Sequence, residues 1–83
     1  MHEYAIPVIE AQTLDERQKA LNSVPDQHVD WVIGYAGAAI ARYLTGLSDK
    51  YVMYECFQSI PQELWPSVRD NFKMAVDLHA LAD

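Results

Sequence analysis

A single cysteine, three glycines and six basic residues in a chain of 83 set the first limits. Cys56 has no second cysteine to pair with, so no internal disulfide forms and a reducing compartment is expected. No segment reaches the roughly 18 apolar residues that a membrane span needs. The start, MHEYAIPVIEA, lacks both the basic region and the long apolar run of a secretory signal, so the expected location is the cytoplasm. Six Lys and Arg stand against twelve Asp and Glu, giving a formal charge of −6. A surface of that sign repels phosphate backbones and suits a basic partner or simple solubility.

Chemistry is sparse as well. His2, His28 and His79 are far apart, with no His-Glu-x-x-His, no Glu-x-x-His and no second thiol, so neither metal nor cofactor is expected. Gly34, Gly37 and Gly46 do not make a phosphate loop, and no serine occupies a nucleophile elbow. His79 and Cys56 both fall on apolar helix faces, which predicts a hydrogen-bonded core histidine and an inert thiol. The expectation is a protein that is not an enzyme.

What the chain does have is apolar patterning. A hydrophobic share of 51% with 22% charged residues belongs to a folded chain, and the length fits one domain over residues 1–83. The organising stretch is Gln27 to Leu44, QHVDWVIGYAGAAIARYL, uncharged from Trp31 to Ala41. Wound at helical periodicity, it places Val29, Val32, Ile33, Ala36, Gly37, Ala39, Ile40, Tyr43 and Leu44 on one broad arc. The opposite arc carries a row at spacings of three and four: His28, Trp31, Tyr35, Ala38 and Arg42. Gly34 lies beside that row, where small residues leave room for a second backbone.

Around this helix the sequence predicts three more, making an all-α, compact four-helix domain with an extended N-terminal arm over residues 1–12. In the arm Tyr4, Ile6 and Val8 alternate until Pro7 interrupts. The expected form is an extended piece laid over the helices, or a first helical turn begun by Pro7. Thr13 and Glu16 have the form of a capping box for a helix from Leu14 to about Ser23, with Leu14, Leu21 and Val24 as its apolar edge. Asp26 is expected to cap the central helix, Gly46 to close it in the left-handed conformation, and Ser48 to cap a third helix over 49–59. That third helix groups Val52, Met53, Cys56, Phe57 and Ile60 on one face, and Tyr51, Tyr54, Glu55 and Gln58 on the other. IPQELWP reads as a turn holding Trp65 between Pro61 and Pro66. The last helix, Ser67 to Ala82, has Val68, Phe72, Ala75, Val76, His79 and Ala82 inside, and Arg69, Asp70, Lys73 and Asp77 outside.

The segment LTGLS followed by three residues and Val52 resembles the turn of small helix-turn-helix regulators, in which Gly makes the turn, Leu tucks in, Ser caps and Val anchors. The following helix, DKYVMYECFQ, carries one Lys among acids, so the corner is expected to be architectural rather than DNA-binding. The excess of aromatic surface points elsewhere. His28, Trp31, Tyr35, Ala38 and Arg42, with Tyr51 and Tyr54, form the expected protein-binding residues of a small acidic interaction module of inhibitor, adaptor or regulatory type. It binds another protein, or a second copy as a homodimer; the alternative is a helix-turn-helix regulator or a DNA-mimicking inhibitor. Within one chain, the competing account of the row is that the N-terminal arm folds back over it.

Overall fold

The computed structural model describes residues 3–71, and these are helical with no strand among them. The helices are α1 (Ala5–Glu10), α2 (Leu14–Asn22), α3 (Val29–Thr45), α4 (Lys50–Gln58) and α5 (Trp65–Asn71). Short 3-10 turns, Asp26–His28 and Gln62–Leu64, lead into α3 and α5. The expected all-α class and central apolar helix are present. Phe72, Lys73, Ala75, Val76, Asp77, His79 and Ala82 of the expected last helix lie outside the described residues, as does His2.

The N-terminal segment lies against α3 and α2, but it is wound rather than extended. Pro7 is tolerated in the first turn of α1, where its missing N–H would have no partner within the helix. Winding also changes which side chains turn inward. A strand would have put Tyr4, Ile6 and Val8 on one side. The helix instead buries Ala5 and Val8, three residues apart, and leaves Ile6 exposed.

Helix boundaries follow local hydrogen bonding, with three departures from expectation. Thr13 caps α2 as expected: its Oγ1 accepts the Glu16 N–H at 3.1 Å. The Glu16 carboxylate reaches back one residue further than in a standard box and accepts the Gln12 N–H at 3.2 Å. Asp26, by contrast, caps nothing with its side chain; it heads the 3-10 turn, and α3 proper begins at Val29. Gly46 is right-handed, at φ −81° and ψ −9°. The end of α3 tightens into shorter-range bonds, with the Leu47 N–H donating to Leu44 O, so no left-handed residue is required. The cap of α4 is Asp49, not Ser48: Asp49 Oδ1 accepts the N–H groups of Tyr51 at 2.8 Å and Val52 at 3.4 Å. A carboxylate there gains from the helix dipole as well.

The core runs along α3. Val32, Ala36, Gly37, Ile40, Ala41 and Leu44 are buried. Compared with the expected arc, burial is turned toward Ala41 and away from Tyr43, which is 58% exposed. The reason is the placement of neighbours: α1 and α5 come closest to α3, whereas α4 approaches it less closely. The tightest point is Gly37. A Cβ there would meet Ser67 Oγ at 2.1 Å and Ser67 Cβ at 2.4 Å, so α5 crosses α3 where only glycine fits. Ser67 Oγ also donates to Gly34 O at 3.2 Å across this crossing. From the other elements Leu21, Val24, Met53, Phe57, Ile60, Leu64 and Val68 join the same buried cluster. Trp65 meets Phe57 edge-on, with ring centroids 4.9 Å apart, and donates its indole N–H to Ile60 O at 2.9 Å. Two residues of the expected apolar faces lie outside the core: Leu14 on α2 and Val52 on α4 are exposed.

Candidate interaction surfaces

The row on α3 starts at its junction with the 3-10 turn. His28 is half-buried there because the Tyr4 ring stacks on it, with centroids 5.1 Å apart and planes 24° from parallel. Trp31 donates its indole N–H to His28 Nδ1 at 2.9 Å and packs edge-on to the same ring. The N-terminal segment therefore covers the His28 end of the row. Trp31 is 36% exposed, Tyr35 is 45% exposed, Ala38 is half-buried and Arg42 is exposed. A Cβ on Gly34 would meet nothing within 4 Å, whereas the close approach of α5 to α3 falls at Gly37. Of the expected contact residues, five share this arc of α3 and two are carried by α4. Tyr51 on α4 is 83% exposed, and Tyr54 is half-buried.

A second feature, absent from the sequence reading, is a groove of about 460 Å³ where the end of α1, the C-terminal half of α3 and α4 face one another. Ile9, Ala39, Ile40, Tyr43 and Val52 give it apolar walls. Arg17, Cys56 and Ser59 line it from within, and Glu10, Gln12 and Glu55 complete its lining. Glu10 and Glu55 are exposed and have no ion-pair partner among the described residues.

Arg17 builds the inner side of this groove. It is only 4% exposed and, among the described residues, has no carboxylate paired with it. Its Nε donates to Val8 O at 2.8 Å, Nη1 to Ser59 Oγ at 2.6 Å and Ser59 O at 3.3 Å, and Nη2 to the carbonyls of Ala11 and, at 3.4 Å, Ile9. The planar fork thereby ties the C-terminal end of α1 to the end of α4, satisfying carbonyls that helix termini leave without partners. Burial lowers the pKa of Arg17 from its ordinary value, with Cys56 opposing that effect. Guanidinium nevertheless stays protonated in proteins. Burial pushes the Cys56 thiol up, against the pull of Arg17, which leaves it a weak nucleophile. Arg17 had a signal in the sequence: it stands between Leu14 and Leu21 in the apolar edge of α2. The groove had none, because it depends on how far α4 stands from α3.

Two expected architectural details can be placed here. α3, residues 46–49 and α4 make the helix-turn-helix corner, with Leu47 packed against the core. Val52, the expected anchor, is exposed at the groove. Among the described residues no helix is long and apolar enough to cross a membrane, and no group of three His, Cys, Asp or Glu is placed to hold a metal ion. Compared with known proteins, the chain matches no family model, no curated protein and no solved structure.

Proposed function

We propose that the chain is a small acidic interaction module that works by binding another protein or a second copy of itself, rather than by catalysis. The surface is the row on α3, extended by Tyr4. The observation that carries this reading is the exposure of Trp31 and Tyr35 on one arc of the central helix, beside Gly34, whose missing Cβ would meet nothing within 4 Å. Trp, Tyr and Arg are the usual anchors of protein interfaces, and exposed aromatic surface favours association. Tyr51 of α4 belongs to the outer part of the same expectation. The cytoplasm is the compartment that one unpaired cysteine suits. DNA reading is the weaker alternative, because the helix after the turn offers Asp49 and Glu55 with Lys50 alone, and its anchor position Val52 is exposed.

Sedimentation of the wild type beside the double variant Trp31→Ala, Tyr35→Ala tests the proposal. Self-association predicts a wild-type dimer and a folded monomeric variant. A foreign partner predicts two folded monomers, of which only the wild type retains a partner from the host extract. Loss of folding in the variant would show the row to be structural and would sink the proposal.

A further inference from the structure

The groove between α1, α3 and α4 lies apart from the aromatic row, and its chemistry specifies a different occupant. We infer that it receives an amphipathic helix of another protein, one that inserts an apolar side chain between flanking Lys or Arg residues. Three features lead there. The walls, formed by Ile9 beside α1, Ala39, Ile40 and Tyr43 on α3 and Val52 on α4, are apolar, and α4 does not pack closely on α3 there. The lining also carries carboxylates, Glu10 and Glu55, that are exposed and without ion-pair partners among the described residues, in a chain of net charge −6. Among the described residues, the one cation that lines the groove is Arg17, and it directs its N–H groups to main-chain carbonyls and Ser59, so it offers nothing to an anion.

The occupant's backbone follows from the same geometry. Among the described residues the groove is bounded by helices and the turns that join them, with no strand edge. At the end of α1 the carbonyls of Val8, Ile9 and Ala11 are already bonded to Arg17. A partner segment must therefore satisfy its own backbone, which a helix does, and it contributes side chains alone, the helix-in-groove mode of recognition. Tyr43 and Val52, exposed in the isolated chain, would be covered by such a helix.

Cys56 gives the experiment a built-in reporter, since it lines the groove and is the sole thiol of the chain. Two synthetic helical peptides share one leucine stripe, one flanked by lysines and the other by glutamates. Alkylation of Cys56 by iodoacetamide is followed with each, while binding is read by fluorescence anisotropy. The expected result is that the lysine-flanked peptide binds and slows alkylation, while the glutamate-flanked peptide does neither. Binding should weaken as salt rises past about 0.1 M, where charges more than about 10 Å apart are screened. The variant Glu10→Lys, Glu55→Lys alters only exposed side chains, so it should keep its helical spectrum and bind about tenfold more weakly, as expected for two exposed ion pairs. Equal binding of both peptides, no binding of either, or binding that leaves Cys56 alkylation unchanged would each overturn the inference. Retention of binding by the Trp31→Ala, Tyr35→Ala variant is expected, and it separates this groove from the row proposed above.

Discussion

Arg17 and Gly37 are the residues whose surroundings tolerate least change. A lysine at position 17 keeps the charge but has no planar fork, so it cannot reach Val8 O, the Ala11 carbonyl and Ser59 at once. Buried acceptors left without a donor cost about 1–3 kcal/mol each. Arg17→Lys is expected to lower stability by at least about 2 kcal/mol, and urea denaturation checks it; an unchanged midpoint would mean water replaces the fork freely. Gly37 and Gly34 make a paired test on one helix. Alanine is favoured over glycine inside a helix by about 1 kcal/mol. At Gly34 nothing opposes that gain, so Gly34→Ala should stabilise by up to about that amount. At Gly37 the new methyl would meet Ser67 Oγ and Cβ well inside van der Waals contact, with the Ser67 backbone C at 3.1 Å behind them. Overpacking of that kind costs about 1–3 kcal/mol and outweighs the propensity gain, so Gly37→Ala should destabilise. Thermal melts of the two variants should move in opposite directions.

Helix ends test the next scale up. Asp49 and Ser48 are both good capping residue types and are adjacent, so composition alone cannot choose between them. The structure does: Asp49 has extended backbone angles, φ −91° and ψ 116°, and its Oδ1 accepts two N–H groups. Asp49→Ala should therefore cost about 1 kcal/mol, while Ser48→Ala should stay within about 0.5 kcal/mol of the wild type. The reverse order in chemical denaturation would return the cap to Ser48. The same comparison shows what was legible in the sequence. Thr13 was legible because its cap and its Glu16 partner are fixed by spacing along one helix, and most of the apolar face of α3 because it follows periodicity, whereas its turn toward Ala41 and away from Tyr43 depends on the neighbouring helices. Asp26 and Gly46 were misjudged because each sits where a 3-10 turn, rather than a standard cap, relieves the free N–H or C=O groups. The N-terminal segment divided between strand and helix on pattern, and its packing against α3 decided it. The aromatic row was readable as a face of one helix. The groove was not, since it arises from the separation of three elements and no single element encodes it.

At the scale of the whole molecule, the buried side chains form one cluster that takes residues from every described helix. A single cluster leaves no part of the structure with a core of its own, so the described elements should unfold together. The two tryptophans allow this to be checked, because they report on different places. Trp31 lies on the aromatic arc of α3, while Trp65 packs on Phe57 and bonds to Ile60 O. Fluorescence of Trp31→Phe and of Trp65→Phe, each compared with that variant's own far-ultraviolet circular dichroism, should give coincident transitions in denaturant. Ile40, 3% exposed in the middle of α3, is the place to perturb that cluster. Ile40→Ala removes methyl groups from a side chain that is buried in the cluster and also forms part of the inner wall of the groove. The expected loss is about 2–5 kcal/mol. For a domain whose total is on the order of 5–15 kcal/mol, that brings the midpoint down sharply while leaving the denaturant slope unchanged. If α4 and the turn into α5 melted first, the Trp65 signal would precede the helical signal, and the single-cluster account of this fold would have to be replaced by two separately stable parts.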